Sequence, residues 1–198
     1  MKRPLDVVLA LLGMLLSSPI WFVAAVAIKL GDRGPVLFKQ MRWGRGGRIF
    51  RVYKFRTMKV TPADAPIEQA LVNDRRVTRV GKVLRGMGID ELPQFVNILK
   101  GDMSFVGPRA LAVGESVVID GERVEYEDIP GFTERLAVRP GLTGLSTIYL
   151  PKDSAPQEKF KTDLRYVEKQ SFALDLKLIV LSFWISIRGQ WESREKKL

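Results

Sequence analysis

The sequence predicts an α+β protein, predominantly helical, with one membrane-embedded helix at its N-terminus and a small domain behind it. Three features of the 198-residue chain support this prediction: a long uncharged apolar run, two strand-like segments joined by a glycine-rich loop, and two later apolar segments, the first of which has its apolar residues at helical spacing. The predicted boundaries are residues 1–30 for the membrane helix and residues 31–198 for the domain, which carries a short β-hairpin and amphipathic helices at the membrane interface.

The composition limits the chemistry that the chain can perform. It has no histidine and no cysteine, which removes the usual general base, the thiolate nucleophile and nearly all zinc sites. Lys and Arg outnumber Asp and Glu by 32 to 22, a net charge of +10. Such a surplus indicates an anionic partner: nucleic acid, a phospholipid surface or a phosphate-bearing substrate. Any catalysis would rest on carboxylates, arginines and a hard metal ion, a set that suits phosphoryl chemistry.

The apolar run from Val7 to Ile28 contains 22 residues without a charge. A straight helix of that length is roughly 33 Å long and would cross the hydrocarbon core of a bilayer. Ser18-Pro19 interrupts the run, because proline lacks a backbone donor, whereas serine hydroxyls can satisfy the carbonyls that proline leaves free. Two topologies are open: a re-entrant helix that breaks at Ser18-Pro19, and a kinked single-pass anchor. The positive-inside rule gives no direction because basic residues flank both ends, namely Lys2, Arg3, Lys29 and Arg33.

A hairpin and a polar connection are predicted directly after the membrane segment. Val36 to Gln40 and Ile49 to Phe55 are rich in strand-forming residues, and the glycines between Arg42 and Arg48 suit a hairpin loop. The polar, proline-containing stretch from Thr61 to Pro66 is the best candidate for a mobile loop.

Two helices are predicted farther along the chain. Between Glu91 and Lys100 the apolar residues fall on one helix face, which consists of Leu92, Phe95, Val96 and Leu99. Gly101 is a suitable stop for this helix. From Phe172 to Trp191 the chain is apolar but carries three charges, too many for a comfortable membrane span. This segment is predicted to be either a core helix or a helix in the membrane interface, with its tryptophans at the headgroup level.

Asp90 and Glu91 form an acidic pair beside the start of the first of these helices. Asp90 stands where the helix macrodipole favours a carboxylate, so an N-cap is its simplest structural role. In a functional site, one carboxylate would act on a substrate while the other coordinates Mg²⁺. Gly107-Pro108-Arg109 and Arg139-Pro140-Gly141 each fix an arginine beside a rigid turn that suits close approach of a diphosphate. The candidate phosphate-binding arginines are Arg56, Arg85, Arg109 and Arg139.

Six ordered blocks of sequence carry a resemblance to a known family. They are the apolar segment broken at Ser18-Pro19, Lys54-Phe55-Arg56-Thr57-Met58, Asp90-Glu91-Leu92-Pro93-Gln94, the run from Asn97 through Gly107-Pro108-Arg109, the run from Arg139 to Gly144, and Tyr166-Val167-Glu168 with Ser171-Phe172 and Leu174-Asp175. With these blocks the chain resembles the bacterial sugar transferases, the monotopic phosphoglycosyl transferases that start lipid-linked glycan assembly. The resemblance extends over almost the whole chain.

The resemblance implies transfer of a sugar-1-phosphate from a UDP-sugar to polyprenyl (undecaprenyl) phosphate, with release of UMP. It implies a ping-pong scheme in which Asp90 is the nucleophile and forms a covalent phosphosugar intermediate, with Glu91 as its partner and Mg²⁺ at the same two residues. Arg109 and Arg139 match arginines of phosphate-binding motifs, and Lys54 joins them as a candidate substrate-binding residue. The resemblance also implies a re-entrant N-terminal helix, a location at the cytoplasmic face of the bacterial inner membrane, membrane lipids as partners and no nucleic acid.

The sequence departs from the family pattern in two places. Gly86-Met87-Gly88-Ile89 stands before the acidic pair, where relatives commonly carry a Ser/Thr-Ser-Leu run, and this predicts a looser backbone. Leu145-Ser146-Thr147 replaces a common Trp-Ala-Gln. The chain resembles the minimal form of the family, and residues 61–73 and 145–156 are candidate loops for reading the sugar ring. The alternative hypothesis is a membrane-anchored basic scaffold or anionic-lipid-binding protein without catalysis, which leaves the acidic pair unexplained.

Overall fold

Helix α1, Lys2–Asp32, is the longest element of the computed structural model, which describes residues 2–59, 74–119, 121–151 and 153–191. Within that part of the chain, α1 is the one helix long and apolar enough to cross a bilayer, by length and composition. It contains Pro19 and continues through it as a single helix. The predicted membrane segment is therefore helical, and its helix ends two residues beyond the predicted boundary at residue 30.

Serine hydroxyls explain how α1 tolerates its proline. Pro19 has no N–H for the carbonyl of Leu15, four residues earlier, and Ser18 Oγ donates to that carbonyl at 2.8 Å instead. One residue earlier, Ser17 Oγ donates to the carbonyl of Gly13 at 2.5 Å. The expectation that serines satisfy the carbonyl freed by proline is confirmed.

Both ends of α1 contact the rest of the protein. Near the N-terminal end, Asp6 Oδ1 accepts hydrogen bonds from Ser104 Oγ and from the Phe105 N–H, each 3.0 Å long. Toward the other end, Ala24 and Ile28 are buried in an apolar cluster with side chains of the domain. The outer face of α1 is apolar and exposed along its length, and it carries Val8, Leu11, Leu12, Leu15, Leu16, Ile20, Phe22, Val23, Val26 and Leu30.

A β-hairpin follows α1, as predicted. Strands β1 (Leu37–Trp43) and β2 (Ile49–Phe55) pair antiparallel, with Leu37 opposite Phe55 and Trp43 opposite Ile49. The loop Arg45–Gly47 is a 3₁₀ turn in which Gly46 and Gly47 have φ of 65° and 76°, a conformation that glycine adopts at little cost. The first strand ends three residues later than predicted, because its pairing with β2 continues to the turn.

The remaining elements form two further small sheets and a set of mostly short helices. They are α2 (Arg79–Gly86), α3 (Gln94–Lys100), β3 (Ser104–Val106), β4 (Ser116–Ile119), β5 (Glu122–Glu125), α4 (Phe132–Arg135), β6 (Gly141–Thr143), α5 (Leu145–Tyr149), α6 (Pro156–Lys169) and α7 (Phe172–Ile187). Strands β3 and β6 are parallel, and β4 and β5 form a second antiparallel hairpin. The loop predicted to be mobile at residues 61–66 lies outside the described residues.

Helix α3 differs from its prediction in its start and in its buried face. It begins at Gln94 rather than at Glu91, because Pro93 occupies its N-cap. Asn97 and Ile98 are its most buried side chains, each 0% exposed. Asn97 Nδ2 donates to the carbonyl of Arg51 in β2 at 2.8 Å, and Ile98 packs in a core cluster that includes α1. Neighbouring elements, rather than apolar spacing alone, decide which side of α3 faces inward.

Helix α7 has one buried face and one exposed apolar face. Asp175, Leu178 and Ile185 are buried, and Asp175 Oδ2 pairs with Lys2 Nζ at 2.8 Å. The segment was predicted to be either a core helix or a helix in the membrane interface. Each alternative describes one side of α7, since one side packs on the core and the other suits a membrane interface. The exposed face carries Phe172, Leu176, Val180, Phe183, Trp184 and Ile187.

Candidate functional site

The acidic pair lies on one turn of 3₁₀ helix, Ile89–Glu91, between α2 and α3. Gly88 precedes the turn with a φ of 71°, and Pro93 caps α3 with no side-chain hydrogen bond to the helix. The N-cap role considered for Asp90 is therefore wrong. Successive residues of a 3₁₀ helix point about 120° apart, so the two side chains leave the backbone in different directions.

Glu91 is partly buried among positive charges. Its Oε1 accepts a hydrogen bond from Lys54 Nζ of β2 at 2.5 Å, and 28% of the Glu91 side chain is exposed. Burial by itself raises the pKa of Glu91, but the charges of Lys54 and Arg109 outweigh it. With a smaller contribution from Arg42, they hold the pKa below its ordinary value. Glu91 is therefore a carboxylate at neutral pH.

Arg42 belongs to this site, although no sequence motif marked it. It lies in β1, is 9% exposed, and donates to Gln40 Oε1 at 2.8 Å and to the carbonyl of Ala110. Burial, followed by the charge of Arg109, lowers the pKa of Arg42 to about 10, so it stays a cation at neutral pH. Arg42 lies opposite the buried Phe50 in the hairpin, a pairing that no local pattern in the sequence indicated.

Two buried guanidinium groups hold the backbone that carries Arg109. Arg135 Nη2 donates to the carbonyl of Arg109 at 3.0 Å, and Arg42 donates to the next carbonyl, that of Ala110. Arg135 is paired with Asp163 Oδ2 at 2.5 Å, and both of these side chains are almost fully buried. A buried ion pair whose hydrogen bonds are satisfied is rigid, so it gives the backbone of Arg109 a fixed support. The side chain of Arg109 itself is exposed.

The two arginine-glycine motifs lock together through their backbones. Gly141 N donates to the carbonyl of Pro108 at 2.9 Å. A Cβ at Gly107 would lie 2.3 Å from the carbonyl oxygen of Arg139, and a Cβ at Gly141 would lie 2.1 Å from Gly107 N. The space that a side chain at either glycine would need is therefore filled by the backbone of the other motif.

The other predicted arginines lie at different places. Arg56 is buried, and its Nε donates to the carbonyl of Pro35 at 2.5 Å in the turn after α1. Arg139 Nε donates to the carbonyl of Gly101 at 2.9 Å. Gly101 follows the C-terminal end of α3, whereas the acidic pair precedes its N-terminal end, and α3 is about 10 Å long. Arg85 lies in the last turn of α2, just before that pair. The structure thus groups Arg42, Lys54, Glu91 and Arg109.

The acidic pair also suits a magnesium ion that shares its ligands with a phosphate. Among the described residues, no group of three or more acidic side chains is placed to hold a metal by itself. Mg²⁺ usually takes one or two protein carboxylates and completes its shell with phosphate oxygens and water. Asp90 and Glu91, the latter ionised by its neighbours, fit that requirement.

Comparison with known proteins gives a consistent result. The sequence model of the family described as bacterial sugar transferase matches residues 1–189. UDP-glucose:undecaprenyl-phosphate glucose-1-phosphate transferase of Escherichia coli K12 is 40% identical over 188 residues, which are 92% of this chain and 39% of that protein. The exopolysaccharide production protein PSS of Rhizobium leguminosarum bv. phaseoli is 38% identical over 185 residues, 90% of this chain and 91% of that protein. UDP-N-acetylgalactosamine-undecaprenyl-phosphate N-acetylgalactosaminephosphotransferase of Aeromonas hydrophila is 40% identical over 182 residues, 90% of this chain and 41% of that protein.

The chain therefore belongs to the bacterial sugar transferase family, as its motifs predicted. The names of the relatives place the family among phosphoglycosyl transferases, which confirms the predicted enzyme class. The chain spans about two fifths of the Escherichia and Aeromonas enzymes, at 39% and 41%, and 91% of the Rhizobium protein. The two named transferases share the undecaprenyl-phosphate acceptor and differ in their sugar.

Proposed function

We propose that the protein transfers a sugar-1-phosphate from a UDP-sugar to undecaprenyl phosphate and releases UMP. In the first step a carboxylate oxygen of Asp90 attacks the phosphorus that bears the sugar, and the bond from that phosphorus to the UMP oxygen breaks. In the second step an oxygen of undecaprenyl phosphate attacks the same phosphorus, and the bond to Asp90 breaks. The acceptor is already an anion and needs no strong general base, in keeping with a chain that has no histidine.

The observation that carries the proposal is that Glu91 of the acidic pair is set among cations. Lys54, Arg109 and Arg42 all act on Glu91, and Arg109 is the exposed member of the three. Positive groups fixed by a rigid backbone stabilise charge that moves onto a phosphate leaving group without reorganisation at the moment of reaction. Arg109 is assigned to the diphosphate of the donor, and the buried bonds to its backbone keep it in place.

Asp90 and Glu91 are assigned as the protein ligands of Mg²⁺. When bound there, the ion would offset the charge of the donor diphosphate. Lys54 keeps Glu91 ionised through its hydrogen bond, and its own contact with substrate stays a prediction. The substrate roles of Arg56, Arg85 and Arg139 also stay predictions, with Arg85 the nearest to the acidic pair in sequence.

A re-entrant α1 at the cytoplasmic face of the inner membrane completes the proposal. Asp6 and Ile28, near opposite ends of the helix, both contact the same domain. A single-pass helix would carry one of these ends across the bilayer, away from its buried contacts. The apolar outer faces of α1 and α7 would lie in lipid. In the membrane, α1 would bend at Ser18-Pro19.

The proposal is tested by UMP release from the purified protein in nanodiscs, with Mg²⁺, undecaprenyl phosphate and a panel of UDP-sugars. We expect release that depends on Mg²⁺ and on the donor. With labelled donor and no acceptor, the wild-type protein should retain sugar-phosphate and Asp90→Asn should not. UMP release by Asp90→Asn at the wild-type rate would disprove the nucleophile assignment. A folded protein that binds anionic vesicles but releases no UMP from any donor would favour the scaffold hypothesis.

A further inference from the structure

The C-terminal end of α7 turns the chain back toward the acidic pair. Gly189 follows the helix with a φ of 65°, and its N–H donates to the carbonyl of Ser186 at 3.0 Å. Gln190 N donates to the carbonyl of Ile185 at 3.1 Å. These two bonds form a Schellman motif, in which a left-handed glycine ends the helix and reverses the chain. The reversal brings Trp191 against the loop between α2 and the 3₁₀ turn.

Trp191 joins α7 to that loop. Its backbone N–H donates to the carbonyl of Gly86 at 3.3 Å. Its indole Nε1 donates to Ser186 Oγ of α7 at 2.5 Å, and its ring packs against the apolar cluster that contains Ile185 and Tyr166. The side chain of Trp191 is therefore fixed by α7, while its backbone N–H is bonded to the last residue of α2.

Gly88 is the point where the indole meets the loop. A Cβ at position 88 would lie 2.7 Å from Trp191 Nε1 and 2.8 Å from its Cδ1, so the ring occupies the space that a side chain would need. The carbonyl of Gly88 also accepts the Glu91 N–H at 3.2 Å, the bond that closes the turn around Asp90. The glycines at 86 and 88 predict a loose loop, and Trp191 supplies the packing that they lack.

We propose that Trp191 is a positioning residue for Asp90, because it joins the end of α7 to the turn that carries the acidic pair. This goes beyond the transfer reaction, on which it rests. Without the indole, the turn that carries Asp90 loses its support on one side. Because a displacement of about 1 Å can cost about 10²-fold in rate, such a loss lowers turnover while the cations around Glu91 still bind the donor.

Trp184 offers a matched control on the same helix. It lies on the outer face of α7, is 47% exposed, and the guanidinium carbon of Arg188 lies 4.5 Å from its ring centre. The Trp184→Ala variant loses a tryptophan of α7 but keeps Trp191, whose ring covers Gly88.

The experiment measures kcat and KM for the UDP-sugar in Trp191→Ala, Trp191→Phe and Trp184→Ala. We expect Trp191→Ala to lower kcat by about 10- to 100-fold and to change KM by less than about threefold. Trp191→Phe should restore most of kcat, since a ring again covers Gly88, and Trp184→Ala should keep kcat within about twofold of wild type. A wild-type kcat in Trp191→Ala, or an equal loss in Trp184→Ala, would overturn the proposal.

A double-mutant cycle with Gly88→Ala gives a second test that does not depend on the stability of one variant. The new methyl group collides with the indole in wild type but has room in Trp191→Ala, and the strain of a left-handed alanine is the same in both. The two losses of kcat should therefore be less than additive. Additive losses would contradict the proposal. The wild-type rate, measured first in the same assay, reports on the transfer reaction alone and separates its failure from failure of the Trp191 proposal.

Discussion

At the scale of single residues, Glu91 shows how neighbouring charges decide the state of a partly buried carboxylate. Burial alone would raise its pKa, yet Lys54, Arg109 and Arg42 lower it from the ordinary 4.5. The folded protein therefore favours the charged form. This contribution to stability is present above the ordinary pKa and is lost as the pH falls through the lowered pKa of the folded state.

The first prediction concerns Lys54→Met. The substitution removes the closest positive charge and its hydrogen bond but leaves Glu91 partly buried, so the pKa of Glu91 should rise. The acid limb of the profile of kcat/KM against pH should move to higher pH, with activity recovering toward alkaline pH. The measurement is that profile for wild type and Lys54→Met. Superimposable acid limbs would exclude Lys54 as the group that keeps Glu91 ionised.

The second prediction separates the two carboxylates. Asp90→Asn should lower kcat by about 10³-fold or more, because it removes the attacking oxygen. Glu91→Gln should lower kcat by about 10²-fold and should weaken the dependence on Mg²⁺, because a neutral amide is a poorer ligand. Turnover as a function of Mg²⁺ concentration checks both, and an unchanged Mg²⁺ dependence in Glu91→Gln would argue against its role as a ligand.

At the scale of elements, the pairing of β3 with β6 holds the site together. Gly107 follows β3 and Gly141 begins β6, and a Cβ at these positions would come within 2.3 Å of the Arg139 carbonyl oxygen and 2.1 Å of Gly107 N, respectively. The backbone just before Arg109 therefore lies in direct contact with the backbone just after Arg139. The glycines of both motifs are thus required by strand packing.

The third prediction is that Gly107→Ala destabilises the protein. Its methyl group would meet the carbonyl oxygen of Arg139, and such overpacking should lower the thermal midpoint by about 5 °C or more in detergent. Gly31→Ala is the control, because nothing lies within 4 Å of its Cβ position. Circular dichroism during heating is the measurement. Equal midpoints for the two variants would show that the strands can separate without cost.

At the scale of the whole molecule, α1 is bound to the domain through polar contacts at its N-terminus. Lys2 Nζ donates to Asp175 Oδ2 at 2.8 Å and to Tyr166 OH at 2.5 Å. Burial, followed by the hydrogen bond to Asp175, raises the pKa of Tyr166 above its ordinary range, so the phenol stays protonated. These bonds hold the N-terminal end of α1 against the domain.

The fourth prediction follows from that arrangement. A cysteine at the exposed Pro4 should be labelled from the same side of the membrane as a cysteine at the exposed Glu158 of α6. The chain has no other cysteine, so each label reports one position. Adding Pro19→Ala should shift part of the population to a spanning helix and expose position 4 on the opposite side. Labelling of position 4 solely from the side opposite to Glu158 in the wild-type background would refute the re-entrant topology.

Sequence patterns were most accurate where local chemistry decides the outcome. The apolar run gave α1, the glycine-rich loop gave the hairpin, and Ser18 satisfies the carbonyl that Pro19 leaves free. They failed where distant segments meet. Nothing near Arg42 in sequence shows that β1 lies beside Glu91 and Arg109, and no local pattern shows that Arg139 reaches the carbonyl of Gly101.

The sequence by itself determined the apolar segment, the absence of histidine and cysteine chemistry, the position of the acidic pair and the family. These follow from residue type and short spacing, which a linear chain displays directly. The tertiary structure alone decided which cations surround Glu91, that Arg135 and Arg42 support Arg109, and that the two glycine motifs face each other. These features depend on packing between residues far apart in sequence, because burial and Coulomb attraction act through distance in space.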